Sequence, residues 1–480
     1  MNGTNILLIT TDQQRFDTIA ALGNKNINTP HLNWLVDRGI TFTRTYTDAP
    51  VCIPARATIM NGQYGYTNDF TLNYGRPSPI NSSLSLPGIL TAAGMQTRAQ
   101  GKMHFNPNRK NYGFEHMEIL EDYYRQIEKY PEAGVPSNHG LGQNEMEVAI
   151  STVDETHSLT HWIVDRSIDF LETRDESRPF FLWTSFSKPH PPFDPCLNYW
   201  LLYQNTEVPP PIYGDWSENP EKICPGYIES SRYLGFAERL TQKQLADAKR
   251  AYYACITQID YNLGILFARM RELNILDNTT IIFTSDHGEM LGDHHLAAKQ
   301  VFFEGSAHIP MIILPAKGLI DESLRGTKCE SIASLADILP TCLDAVDIKA
   351  PKNLKIDGIS LFSQLRGKKI RNLFFGSCGH LHCTIENNYK FLWTGMGGGE
   401  LLFDLKNDPY EQSNLSHNKS YNTILERMRK LLIEHLKNTK QKGVKNSKLS
   451  PYLKSLSINE IRPNCWPGFH SRKRPNEVMH

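Results

Sequence analysis

The stretch "APVCIPARATIMNGQY" (49–64) carries a cysteine that stands alone. No second cysteine lies within a few residues of Cys52, which excludes a local zinc pair or a redox CxxC. The other residues with chemical potential form short clusters far apart in the chain. "NILLITTDQQ" runs apolar and β-branched residues into Asp12 and Gln13, and "TTIIFTSDHGE" does the same into Asp286 and His287. "RPFFLWTSFSKPHPPFDP" holds a third apolar run, Phe180 to Phe186, that leads to Lys188 and His190. Carboxylates suit a divalent cation, and an imidazole can be protonated near neutral pH and act as a general acid. Each residue also has a plainer use. Asp12 would cap a helix, His287 would be a satisfied turn histidine, Lys188 a surface lysine and Cys52 a buried structural thiol. For Asp12 and His287 the plainer uses lose ground because the pairs fall at the ends of separate strands.

To bring such distant clusters together, strands must end side by side. Short apolar runs with helical patterns between them predict an α/β fold with a large, mixed, mostly parallel sheet flanked by helices. In such sheets ligands gather at the carboxyl ends of the strands. Helical spacing covers residues 160–172 and, at greater length, 241–273, where Ala251, Cys255, Ile259, Leu263 and Leu266 recur on one face. After about residue 368 the pattern changes to short antiparallel strands, followed by helical spacing over 424–436. Residues 1–367 are therefore read as an α/β catalytic domain. Residues 368–480 are read as a smaller C-terminal α+β subdomain with an antiparallel sheet. The basic stretch "KNTKQKGVKNSKLS" is read as a linker without packing.

Lysine plus arginine (51) balances aspartate plus glutamate (51), so no global field favours nucleic acid or a membrane surface. No apolar run reaches the length of a membrane span. The N-terminus reads as a buried strand instead of a signal peptide. The expectation is a soluble protein with neither nucleic-acid nor membrane partners. It would be cytoplasmic as written, or periplasmic if a leader has been removed. Nine scattered cysteines do not form a disulfide framework.

The segment CIPAR resembles the signature of the formylglycine-dependent sulfatases, members of the alkaline-phosphatase-like superfamily. Cys52, Pro54, Arg56 and Gly62 match that pattern, while Ile53 and Asn61 depart from its commonest form. "GMQTRAQGKMHF" (94–105) resembles the family's downstream motif through Gly101, Lys102 and His104, with Met95 and Gln100 atypical. "TTDQQR", "SKPHPPFDP" and "SDHGEMLGDHHLAAK" are further matches in the expected order. The likeness spans roughly residues 5–315, and "LLFDLKNDPYEQSNL" looks like the usual C-terminal strand and turn. It implies that a maturation enzyme oxidises Cys52 to Cα-formylglycine (3-oxoalanine). One hydroxyl of the hydrated aldehyde then attacks sulfur, and the other later expels sulfate. It also implies a metal shell of Asp12, Gln13, the modified Cys52, Asp286 and His287. Calcium is expected ahead of manganese or magnesium, although the nitrogen of His287 is a less natural donor for a hard cation. By the same resemblance Arg56, Lys102 and His104 hold the diol, His190 protonates the leaving oxygen, and Lys188 and Lys299 contact sulfate oxygens.

The pairs "DQ" and "DH" resemble two groups within this fold. One comprises bacterial sulfatases acting on glycosaminoglycan fragments, including those that remove the 2-O-sulfate of unsaturated uronic acids. The other comprises phosphonate monoester and phosphodiester hydrolases. Arg109, Lys110 and Tyr112 follow the second motif, and the closing stretch adds Trp466, His470, Arg472, Lys473 and Arg474. Arginine grips carboxylates bidentately and aromatic faces stack on sugar rings. The expected function is therefore an exo-acting sulfatase on heparan- or chondroitin-type oligosaccharides, a uronate 2-O-sulfate ahead of a hexosamine 6-O-sulfate. Arg109, His470 and Arg472 are expected at the sugar, with the tail packed back over the cleft. The alternatives are a phosphonate or phosphodiester hydrolase and an unmodified, non-catalytic sugar-binding protein.

Overall fold

Each apolar run that leads into a charged pair becomes a strand of one sheet. The computed structural model describes residues 3–73, 75–234, 237, 240–457 and 460–461. Its main sheet contains β1 (Asn5–Asp12), β2 (Ile40–Tyr46), β3 (Gln96–Gly101), β4 (His116–Ile119), β5 (Phe180–Pro189), β6 (Thr279–Ser285), β7 (Met311–Leu314) and β8 (Lys328–Ser334). Their order is β4-β3-β5-β1-β6-β7-β2-β8. All but β7 run the same way, and β7 is antiparallel to both its neighbours.

Strand residues alternate between two cores. Ile6, Leu8, Phe181, Trp183 and Ile282 face one, shared with the helix Cys52–Asn61. Leu7, Ile9, Leu182, Ile281 and Phe283 face the other, shared with the helices Leu159–Thr173 and Gln242–Glu272. Cover on both faces explains why these strands read as unbroken apolar runs. The long helix starts where Thr241 and Gln244 form a reciprocal capping box.

Register then delivers the site. Gly101 lies beside Ser185, Ser185 beside Thr10, and Thr11 beside Ser285 across the adjacent strands β3, β5, β1 and β6. These parallel strands end level with one another. Lys102, Asp12 and Asp286 therefore emerge along one edge of the sheet.

A separate antiparallel sheet follows, made of β9 (Leu373–Cys378), β10 (Leu381–Glu386), β11 (Tyr389–Thr394) and β12 (Glu400–Asp404). The helix Asn422–Asn438 packs Leu425, Met428, Leu432 and Leu436 against Phe391, Trp393 and Leu402. The basic stretch after it departs from the expected unpacked linker. Val444–Lys445 pairs with Lys448–Leu449, and Val444 and Leu449 join that small core. Two apolar residues suffice to dock it.

Buried ion pairs bind the second sheet to the first. Lys390 on β11 donates to Glu411 at 2.8 Å, to the carbonyl of Phe302 at 2.9 Å, and to Glu304. Arg371, just before β9, grips Asp337 with two bonds of 2.6 Å, and Asp337 also accepts the amides of Ser334 and Ile359. Among the described residues no helix is long and apolar enough to cross a membrane.

Removing one partner of a buried pair strands the other charge. Arg371→Met is expected to destabilise the protein by about 3–5 kcal/mol, read as an earlier unfolding transition in urea. An unchanged midpoint would show that the Arg371–Asp337 pair adds nothing to the hold on the second sheet.

Candidate active site

The helix Cys52–Asn61 starts at Cys52 itself, since Val51 is extended (φ −157°, ψ 142°) and serves as its cap. Gly62 ends it in the left-handed region (φ 65°), where a β-carbon would be strained and would lie 3.2 Å from Leu339 Cβ. The Cys52 sulfur thus lies at the positive end of a helix dipole. His287 Nε2 is 3.1 Å from Sγ and Asp12 Oδ1 is 3.8 Å away, and His104 also hydrogen-bonds the thiol.

One turn later, Arg56 donates from Nε to Asp286 Oδ2 at 2.9 Å and from Nη2 to Asp12 Oδ2 at 3.3 Å. Its Nη1 donates to Ser185 Oγ at 2.8 Å and to the carbonyl of Lys102. Lys102 Nζ reaches Asp12 Oδ2 at 2.8 Å. Asp12, Arg56, Asp286 and His287 are wholly buried.

This charge arrangement sets the protonation states. Burial and Asp12 push the Cys52 thiol up, but His287, Lys102 and Lys299 outweigh them and leave it at about 6. Burial disfavours the His287 cation, yet Asp286 and Cys52 raise it to about 9. Burial likewise opposes Asp12, while the Lys102 ammonium foremost, with Arg56 and His287, holds it well below the usual carboxylate range.

His190 differs from its expected state as a protonated general acid. Its Nδ1 donates to the carbonyl of Pro191 at 2.7 Å, and its Nε2 accepts from Lys299 Nζ at 2.8 Å. An ammonium only donates, so His190 is the neutral tautomer. Burial, then Lys299 and Lys102, hold it well below 6.5.

The ligand atoms of Asp12, Cys52, Asp286 and His287 lie within 4.8 Å of one another. His287 Nδ1 donates to the carbonyl of Gly288 at 3.0 Å, which turns Nε2 toward the cluster, where a bound cation would take the place of its proton. Two carboxylates and an oriented imidazole fit a divalent cation. Gln13 is used differently from the expected fifth ligand. Its Oε1 accepts from Lys299 at 2.6 Å, its Nε2 donates to Glu289, and its backbone amide donates to Asp286.

Two other expected residues, Lys188 and Arg109, are already paired. Lys188 is committed to Asp194 and the carbonyl of Pro192, bracing the loop after β5 instead of presenting a free ammonium. Arg109 is a surface residue held by Asp122 at 2.8 and 3.0 Å and does not line the cleft. His470 and Arg472, together with Trp466, Lys473 and Arg474, lie outside the described residues. Beside the cluster a cleft is lined by Lys102, Lys188 and His190 and by Tyr123, Tyr124, Gln143, Ser158 and Thr160.

Sequence reasoning did not find Ser185, Asn144 or Glu289. Ser185 donates to the carbonyl of Lys102 at 2.6 Å while accepting from Arg56 and Thr10. Its type gave no distinct signal, because Thr184 and Ser187 beside it in β5 also carry hydroxyls. Asn144, from the irregular segment before the helix Leu159–Thr173, accepts from Lys299 at 3.3 Å and gave no signal.

Residues 4–348 match the model of the Sulfatase family. The chain is 33% identical over 494 residues to an arylsulfatase of Clostridium perfringens, an alignment covering 95% of this chain and 99% of that protein. Among solved structures, the phosphonate monoester hydrolase of Agrobacterium radiobacter superposes with a TM-score of 0.74 at 24% identity, over 91% of this chain and 95% of that one. A protein in complex with its substrate D-glucosamine-2-N,6-O-disulfate superposes with a TM-score of 0.72 at 22% identity, over 91% and 98%. The two superpositions establish a shared fold.

Arg56 orients both carboxylates of the cluster, and lysine cannot reproduce its fork. Arg56→Lys should weaken divalent-cation affinity by roughly 10- to 100-fold in equilibrium dialysis with calcium. Unaltered affinity in a folded variant would show that the cluster is positioned without Arg56.

Proposed function

The chain belongs to the sulfatase family and is a sulfuric ester hydrolase, and from that premise we propose that it cleaves sulfate monoesters of sulfated sugars at Cys52. The observation that carries this reading is the Cys52 sulfur at a helix N-terminus, 3.1 Å from His287 Nε2 and beside Asp12. Conversion of Cys52 to formylglycine would supply an oxygen nucleophile, and a divalent cation held by Asp12, Asp286 and His287 would draw charge from the sulfate. Calcium suits the two carboxylates, with manganese or magnesium as the alternatives.

The chain's own groups do the rest. Arg56 and Lys102 neutralise the two aspartates, so an anion can approach a site that would otherwise repel it. His104 holds the group at position 52. Lys299 and His190 share one proton across 2.8 Å, and this proton is available to the leaving oxygen.

The cleft bears on the sugar. Its described walls offer hydroxyls, tyrosines and the Gln143 carboxamide, and no arginine lines it among the described residues. A uronate would need a cation for its carboxylate besides the one that meets the sulfate, yet Lys188 and Arg109 are already paired with Asp194 and Asp122, which leaves Lys102 to the sulfate. A hexosamine 6-O-sulfate therefore fits the described cleft better than a uronate 2-O-sulfate, with glycosaminoglycan-type oligosaccharides as the substrate class.

Mass spectrometry of the peptide spanning residue 52, from a host that carries the maturation enzyme, should show a loss of about 18 Da relative to cysteine. That enzyme form should release sulfate from 4-nitrophenyl sulfate faster than it cleaves an aryl phosphonate monoester. The reverse order would make phosphonate hydrolysis the main activity. Given sulfated disaccharides, it should release hexosamine 6-O-sulfate before the 2-O-sulfate of an unsaturated uronate. The opposite preference would place the carboxylate-reading cation among residues 462–480 or on Arg109.

A further inference from the structure

Glu289 is wholly buried two residues beyond His287, and the steps above make no use of it. Its Oε1 accepts the backbone amides of Leu291, at 3.0 Å, and Ala298. Its Oε2 accepts from Gln13 Nε2. Ala298 adopts a left-handed conformation (φ 60°) immediately before Lys299.

The chemistry of the partners leaves Gln13 one orientation. An ammonium only donates and a carboxylate here only accepts, so Oε1 must face Lys299 and Nε2 must face Glu289. One carboxylate thus fixes Lys299 twice, at its backbone through Ala298 N–H and at its ammonium through the Gln13 carboxamide. The result is Lys299 Nζ set 2.6 Å from Gln13 Oε1 and 2.8 Å from His190 Nε2.

We propose that Glu289 is a positioning residue that aligns the Lys299 ammonium with His190 and so sets proton delivery to the leaving oxygen. With Glu289→Gln, the new amide cannot accept at both oxygens' positions. Gln13 is then free to turn its own Nε2 toward Lys299, where two donors would face each other and Lys299 would move off His190. The inference rests on reading Lys299 and His190 as the proton-donor pair, and its test separates the two.

The experiment compares kcat for phenyl sulfate, whose leaving oxygen needs a proton, with kcat for 4-nitrophenyl sulfate, whose leaving phenolate needs far less help. Glu289→Gln and Lys299→Met should each lower kcat on phenyl sulfate by roughly 10- to 100-fold while changing 4-nitrophenyl sulfate little. The double variant should be no slower than Lys299→Met, because Glu289 acts through that lysine. Equal losses on both esters in Glu289→Gln, or a further loss in the double variant, would overturn the proposal and leave Glu289 a purely structural role. Equal losses in Lys299→Met would overturn the donor-pair reading itself. Should Glu289→Gln fail to fold, Glu289→Asp, which keeps the charge but shortens the reach to Gln13, is measured against the same outcomes.

Discussion

The fork of Arg56 across Asp12 and Asp286 is the constraint on which the site depends. Burying these charges costs several kcal/mol per ion, and only close pairing with further hydrogen bonds offsets that cost. Arg56 supplies it by binding both carboxylates, the Ser185 hydroxyl and the Lys102 carbonyl, which ties its helix to the ends of β1, β3, β5 and β6. Cys52 lies four residues earlier on that helix, one turn away on the same side. Once Arg56 is fixed, the position of Cys52 follows. Pro54 fits between them because the third helical residue has no amide bond to lose within the helix.

The remainder of the fold keeps that edge in place. Register levels the strand ends, and alternating core faces prevent a slip, since a one-residue shift would turn every apolar side chain to the wrong face. The second sheet also reaches the site. Lys390 binds Glu304 and the Phe302 carbonyl, close in sequence to Lys299, and the Gln300 amide bonds the Pro50 carbonyl beside Cys52. A buried lysine in the small sheet therefore helps hold the segment that carries the Lys299 ammonium.

Much of this was legible in the sequence. Asp12, Asp286 and His287 stood at the ends of apolar runs, and chemistry narrows the residue types that can occupy such places. Cys52, Arg56, Lys102 and His104 were legible through short motifs whose internal spacing survives folding. What escaped depended on partners that only the tertiary structure brings close. Arg109 looked free until Asp122, thirteen residues on, was seen to hold it, and Lys188 was spoken for by Asp194 within its own motif. The protonation of His190 could not be read from its residue type, because burial and a lysine 109 positions away decide it.

Counting donors sharpens which lysine meets the substrate. An ammonium carries three N–H groups. Those of Lys299 already face Gln13, Asn144 and His190, so a sulfate oxygen there would have to displace one of them. Lys188 is in a similar position, with Asp194 and the carbonyls of Pro192 and His190 around it. Lys102 lines the same cleft, and its one acceptor among the described residues is Asp12. An incoming anion thus finds uncommitted N–H groups at Lys102. Lys299 is held among Gln13, Asn144 and His190, and Lys188 is held by the loop after β5.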